Sequence, residues 1–373
     1  MQSSKIKVLQ IVPTLGYGGV AQFLLNYYNF IDKSQIVFDF ITHGGEEQFH
    51  NELRDKGSTI YYVNSIGKVG IVNYLNQLKN IFNNNNYDLV HTHDGHLTGI
   101  TAMLCKLYFK GPIICHAHTT LCVNKKHRQL MPLFRFFSRF FGDVLLGCGV
   151  EACKYCFGKK AQYNVVHNAV SLDRFRNVSE EEIYKLKQSL NITDKNFVIG
   201  HIGVFTNQKN HSYIIDIFNN LLKSHKNAIL VLVGDGELKI QIENKAVELG
   251  ISDFIRFVGI QKNIPLYMHI FDVFILPSLY EGLPVCGIEA QTVVKNVCLS
   301  NTIDRDVDVG IGSVSFLPIT TDSLNDWERA IFAPKMALDS NVVDRCFISH
   351  GYEINNGAKN LLNIYKRIVE KYN

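Results

Sequence analysis

The residues best suited to chemistry lie together in Glu281-Gly282-Leu283-Pro284-Val285-Cys286-Gly287-Ile288-Glu289, directly after the apolar run Val273 to Leu276. That order reads as a buried strand, a glycine turn and a helix start. Pro284 has a fixed φ and no amide proton, so it fits the first helical turn and leaves the amides of Leu283 and Val285 to face an anion. Each flanking carboxylate can accept two hydroxyl hydrogen bonds, so Glu281 before the turn and Glu289 within the helix suit the hydroxyls of a sugar. The plainer alternative is a pair of solvated or capping glutamates.

A second glycine loop, Gly16-Tyr17-Gly18-Gly19-Val20-Ala21, stands between a strand pattern and a helix pattern and matches G-x-G-x-x-A. Gly18 and Gly19 let backbone approach an anion at a helix N-terminus. A dinucleotide site would also need an acidic residue at the end of the next strand, and Asp39 lies inside its strand instead. The loop therefore suits another phosphate-bearing ligand, or a plain tight turn.

His91-Thr92-His93 and His116-Ala117-His118 each put two imidazoles on one face of a strand end. That spacing allows metal ligation, structural hydrogen bonding or a ligand-facing role, and the position at carboxyl ends of strands favours the last. Asp304-Arg305-Asp306-Val307-Asp308 lacks the glycine of a calcium loop and reads as a solvated charge run. Cys153 and Cys156 have no second pair at zinc-ribbon spacing, and nine cysteines without a secretory signal point to reduced, packed thiols. No metal or other cofactor is expected.

These residues need a scaffold of alternating strands and helices. Strand-like runs at Val8 to Val12, Val37 to Thr42, Leu89 to Thr92 and Ile113 to His116 are each followed by turn residues and a helical pattern, the mark of a parallel sheet. Past Asn168-Ala169-Val170, the expected hinge, and a polar segment from Asn177 to Lys187, the rhythm restarts. Its strands are Phe197 to Ile202, Ile229 to Val233, Ile255 to Val258 and Val273 to Leu276. The chain thus divides into α/β domains at 1–170 and 171–350, as its 373 residues would suggest. In 351–373 a last helix from about Asn356 to Tyr372 carries Leu361, Leu362, Ile364, Tyr365, Ile368 and Val369, which need an apolar partner surface.

With 46% hydrophobic and 19% charged residues and no apolar run of spanning length, the chain reads as globular. No signal-peptide pattern precedes the first strand, so a cytoplasmic location is expected. Residues 1–170 hold 17 Lys/Arg against 10 Asp/Glu (+7) and 171–373 hold 21 against 24 (−3), giving the net +4. Part of the excess lies in 125–141, where Arg128, Arg135 and Arg139 share one helical face and Leu130, Phe134, Phe137 and Phe141 the other, with Pro132 in the first turn. Such a helix suits either an anionic membrane surface or burial in the N-terminal half, and it is not a nucleic-acid patch.

Taken together, the Glu281 to Glu289 segment, Gly203-Val204-Phe205-Thr206-Asn207-Gln208-Lys209-Asn210-His211, Leu232-Val233-Gly234-Asp235-Gly236-Glu237-Leu238 and Asn168-Ala169-Val170 with Asp173-Arg174-Phe175 resemble the retaining GT-B glycosyltransferases of the family 4 type. The resemblance spans essentially the whole chain and is closest to bacterial exopolysaccharide and capsular-polysaccharide enzymes. It implies two Rossmann-like domains facing across a cleft, with the last helix packing back on the first domain. It also implies transfer of a sugar from a nucleoside diphosphate sugar, most simply a UDP-sugar, to a glycan or lipid-linked saccharide, on the inner face of the membrane if 125–141 touches lipid.

On the same resemblance, Glu289 would bind the ribose, Glu281 the donor sugar, and the amides of Leu283 and Val285 with Gly282 the phosphates. Gly203 and Lys209 would sit at the diphosphate, Gly259 and Ile260 against the base, Gly18 and Gly19 near the donor, and His118 beside the sugar. Lys209, Glu281 and His118 are the expected catalytic set. Relatives commonly have Gly-Arg-Phe where this chain has Gly203-Val204-Phe205, so a fork of donors to the diphosphate is missing. Gln291-Thr292-Val293-Val294-Lys295-Asn296 also departs from the family, with an expected effect on packing. Two other readings share the architecture: a UDP-sugar 2-epimerase, for which no acid–base carboxylate set is visible, and a non-catalytic partner protein, which Val204 motivates.

Overall fold

The computed structural model describes residues 5–16, 18–122, 124–294, 296–334 and 339–372, so Tyr17 and Lys295 lie outside the described residues. Two compact units form, Met1–Ala169 with Gly351–Asn373, and Val170–His350. In the first, β1 (Ile6–Val12), β2 (Ile36–Thr42), β3 (Ile60–Tyr62), β4 (Leu89–Thr92), β5 (Ile113–Ala117), β6 (Val144–Gly147) and β7 (Asn164–Val165) make one sheet in the order β3-β2-β1-β4-β5-β6-β7. In the second, β8 (Phe197–Ile202), β9 (Ala228–Val233), β10 (Ile255–Gly259), β11 (Val273–Leu276), β12 (Val297–Ser300) and β13 (Val314–Leu317) run β10-β9-β8-β11-β12-β13. All pairings are parallel. Helices cover both faces of such sheets, which is why β9 and β11 are apolar and buried along their whole length.

The first core gathers Phe23, Tyr27, Phe38 and Phe40 with Leu361, Leu362, Tyr365 and Ile368 of the helix Ile354–Tyr372. The last helix thus packs on the first unit, each fully buried apolar side chain contributing roughly 1.5–3 kcal/mol. The second core centres on Phe205, Phe218 and Trp327, whose indole donates to Pro318 O at 2.8 Å.

Two elements differ from expectation. The polar stretch from Asn177 contains a helix, Glu180–Ser189, which starts on a capping box of Ser179 and Glu182 and carries the exposed pair Glu181–Lys185. Caps and charge pairs form it where apolar periodicity is weak. The stretch 125–141 is two helices, Lys125–Gln129 and Met131–Phe141, with Pro132 in the first turn of the second. Its faces are also rearranged: Met131, Phe134 and Ser138 are buried, Arg135 donates to Tyr155 O at 2.9 Å, and Leu130, Leu133, Phe136 and Phe140 are exposed. Among the described residues no helix is long and apolar enough to cross a membrane.

Candidate active site

The strand order of each sheet reverses at one point, between β1 and β4 in the first unit and between β8 and β11 in the second. Loops leaving such neighbours diverge to opposite faces and open a crevice at the carboxyl ends, where doubly wound sheets hold ligands. Most candidate residues follow strands at or beside these two points, while Gly259 and Ile260 follow the edge strand β10.

In the second unit Gly203 follows β8, the single turn Asn207–Lys209 comes next, and Pro277 to Glu281 follows β11. Lys209 Nζ lies 2.6 Å from Glu281 Oε1, and Gln208 Nε2 donates to Glu281 Oε2 at 3.0 Å. Two further bonds stitch the loops: Leu279 N to Gln208 O at 2.8 Å and Asn210 Nδ2 to Pro277 O at 3.1 Å. Asn210 achieves this in the left-handed region, φ 55°, which asparagine tolerates. Burial alone would lower the pKa of Lys209, but the charge and hydrogen bond of Glu281 outweigh it and raise the ammonium above its ordinary value. Gly203 is required here, because a Cβ would stand 2.9 Å from His201 Nε2 and 3.1 Å from Lys209 Cγ. The lysine stem lies where a side chain would be.

Glu289 is buried on the short helix Val285–Ala290, and that burial raises its pKa to about 7 against the opposing charge of Arg174. Pro284 caps this helix in an extended conformation (φ −71°, ψ 110°) instead of entering the first turn, and its carbonyl takes the amides of Gly287 and Ile288. Its fixed φ suits either position, so the one-residue difference moves Leu283 further from the helix than expected. Gly259 ends β10 with φ 67°, its carbonyl accepting from Gly234 N at 2.9 Å, and the following Ile260 is half-exposed. Val204 is 44% exposed. Gln291 is buried and bridges Gly287 O, Val307 O and Val309 N, so this departure from the family is a packing device.

In the first unit the four histidines form one network. Gln10 Nε2 donates to the Tyr365 hydroxyl at 3.3 Å, and that hydroxyl meets His91 Nδ1 at 2.8 Å. His91 Nε2 meets His116 Nδ1 at 3.1 Å. On the other branch His93 Nε2 meets Gln10 Oε1 at 2.9 Å and His93 Nδ1 meets His118 Nε2 at 2.9 Å. With Gln10 so oriented, His93 must donate to it and accept from His118, which leaves His118 Nδ1 as a hydrogen-bond acceptor. His91, His93 and His116 are fully buried, and burial drives all four imidazoles to the neutral form, His118 to about 3. This corrects the ligand-facing expectation for three of them: only His118 is partly exposed.

The glycine loop is also changed by a neighbour. Glu47 accepts from Leu15 N at 2.6 Å and from the Thr14 hydroxyl, filling the space beside Gly16 and Gly44 with a carboxylate. Gly18 caps the helix Gly19–Phe30 and, like Gly19, has open space where a Cβ would be. Asp39 is consumed by Thr59 N and the Tyr87 hydroxyl, consistent with no dinucleotide site. Asp304 caps its own turn and Arg305 lies over Phe316, while Cys153 and Cys156 are free, buried thiols.

Sequence reasoning missed Gln10, Glu47, Gln208 and Tyr365 as parts of these sites. Gln10 was detectable as the one polar residue in the apolar run Val8 to Val12.

Two family models match: "Glycosyltransferase Family 4" over residues 17–174 and "Glycosyl transferases group 1" over 182–304. EpsF of Bacillus subtilis, named as a glycosyltransferase, is 29% identical over 100% of this chain and 99% of its own. The UDP-Gal:alpha-D-GlcNAc-diphosphoundecaprenol alpha-1,3-galactosyltransferase of Escherichia coli is 26% identical over 98% and 95%. The crystal structure of Anabaena HepE with UDP-glucose superposes with a TM-score of 0.71 at 16% identity, covering 98% of this chain and 99% of that one. The two family models, which together span most of the chain, place it among the glycosyltransferases of the family 4 type, and its two parallel sheets match the GT-B fold of its structural neighbours.

Proposed function

We propose that the protein transfers a glycosyl unit from a UDP-sugar to a hydroxyl of a lipid-linked or growing polysaccharide, with retention at the anomeric carbon. The observation that carries this reading is the part-buried Lys209–Glu281 pair at the β8/β11 switch point, with buried Glu289 on the helix that follows. In the proposed reaction the bond from anomeric carbon to phosphate oxygen breaks, and the acceptor oxygen bonds the same face. The acceptor proton passes to a donor phosphate oxygen. Negative charge then grows on the diphosphate, where Lys209 stabilises it, while Glu281 and Glu289 hold the sugar and ribose hydroxyls. The UDP-glucose bound by HepE and the UDP-Gal donor and diphosphoundecaprenol acceptor named for the Escherichia coli relative support the donor and acceptor classes.

The exposed row Leu130, Leu133, Phe136 and Phe140, flanked by exposed Arg128 and Arg139, supports peripheral contact with an anionic membrane, where such an acceptor is anchored. Phe136→Ser with Phe140→Ser should release the protein from anionic vesicles; unchanged binding would remove this part of the reading. The transfer itself is tested by incubating the protein with UDP-sugars. Slow release of UDP without acceptor, lost in Lys209→Ala, is expected, whereas a C2-epimer would indicate an epimerase. If no UDP-sugar binds and Val204→Arg creates binding, the non-catalytic reading replaces this one.

A further inference from the structure

Three potential metal ligands from separate segments of the first unit converge away from the histidine network. His96 sits in the turn Gly95–Leu97 after β4, Cys122 follows β5, and His127 lies on the helix Lys125–Gln129. His96 Nε2 is 3.0 Å from His127 Nδ1 and 3.5 Å from Cys122 Sγ, and the three ligand atoms all lie within 4.8 Å of one another. A tetrahedral zinc ion with Zn–N of about 2.0–2.1 Å and Zn–S of about 2.3 Å separates its ligands by roughly 3.3 Å (N···N) and 3.5 Å (N···S). Both measured edges are close to these.

Hydrogen bonding explains the cluster less completely. A ring nitrogen has one proton or one lone pair, so His96 Nε2 can serve only one of its two neighbours well. A cation at the common centre serves all three. The ligands are also held: the Asn124 side chain accepts from His127 N at 3.2 Å, and the Phe134 ring lies 5.6 Å from His96 and 5.7 Å from His127. Cys122 is buried, while both histidines are partly exposed and reachable from solvent. The other candidate triad, His91, His93 and His116, is sealed, and five of its six ring nitrogens are engaged in the network described above.

We propose that His96, Cys122 and His127 bind one zinc-class divalent ion, with water or an outside donor in the fourth position. Nitrogen and thiolate ligands favour zinc over magnesium or calcium. On binding, the Cys122 thiol loses its proton to solvent and its sulfur leaves Asn124 O, its acceptor at 3.5 Å. The proton shared by the two imidazoles moves to a nitrogen that does not coordinate. The ion would pin the segment after His118 and the start of the basic helices to the turn after β4.

The test is cobalt(II) titration of the full chain after chelator treatment, followed by zinc competition. One equivalent of cobalt with a thiolate-to-metal charge-transfer band, bleached by zinc, is expected. Cys122→Ala should abolish the band, and His127→Ala, at a partly exposed position, should weaken binding by more than ~10-fold with an unchanged far-ultraviolet spectrum. Cobalt binding without the band, persistence of the band in Cys122→Ala, or unaltered affinity in His127→Ala would each overturn the site.

Discussion

Lys209 and Glu281 form a largely buried ion pair, in which the charge and hydrogen bond of Glu281 raise the Lys209 ammonium above its ordinary pKa against the cost of burial. Removing one partner of a buried pair commonly costs about 3–5 kcal/mol, because the other charge is stranded. Glu281→Ala should therefore lower the thermal midpoint, and UDP should raise it more in this variant than in the wild type, since a diphosphate replaces the lost anion; equal shifts would separate Lys209 from the donor. Glu289 makes a second prediction. Its folded pKa of about 7 stands above the ordinary 4.5, so the folded state keeps a proton that the unfolded chain releases, and stability falls as pH rises through that window. The loss is at most about 3 kcal/mol and falls between roughly pH 4 and pH 8. Glu289→Gln, which cannot ionise, should flatten the thermal midpoint over that range by the same amount. Both glutamates and Lys209 were legible in the sequence from glycine and proline context and from resemblance. Their pairing was not, because which side chains meet across two loops depends on the register of β8 against β11.

The elements were most legible in the sheet interiors. Phe197–Ile202, Leu89–Thr92 and Val273–Leu276 were read to the residue, whereas β3, β6, β7, β12 and β13 lie at or next to sheet edges, where pattern gives less signal. The helix Glu180–Ser189 escaped because its determinants are polar, so Ser179→Ala should destabilise it by about 1 kcal/mol in chemical denaturation. The last helix shows the reverse case. Its apolar residues from Leu361 to Val369 were visible, though not the buried Ile354 and Ala358, and Tyr365 has a polar function as well, linking Gln10 and His91. Tyr365→Phe keeps the packing and strands those two groups, a cost of about 1–3 kcal/mol in denaturant unfolding. An effect below that range would mean the histidine network adds little to the fold.

At the scale of the whole molecule, the division into two α/β units was readable from the restart of the strand rhythm after Asn168, and the two family models assign the family. What the sequence left open is where the ligand's binding energy acts. Trp327, the sole tryptophan, is buried in the core of the second unit, so its fluorescence follows that unit's unfolding. UDP held by Glu289 and Lys209 should raise the Trp327 transition by mass action. The most direct test is calorimetric titration of UDP into the wild-type chain and Glu289→Ala at one pH above 7. A single saturable site in the wild type, weakened by ~10-fold or more when the ribose carboxylate is removed, is predicted, that factor being about 1.4 kcal/mol. No heat with the wild type, or equal affinity in both proteins, would contradict the assignment of the Glu281 to Glu289 loop as the donor site.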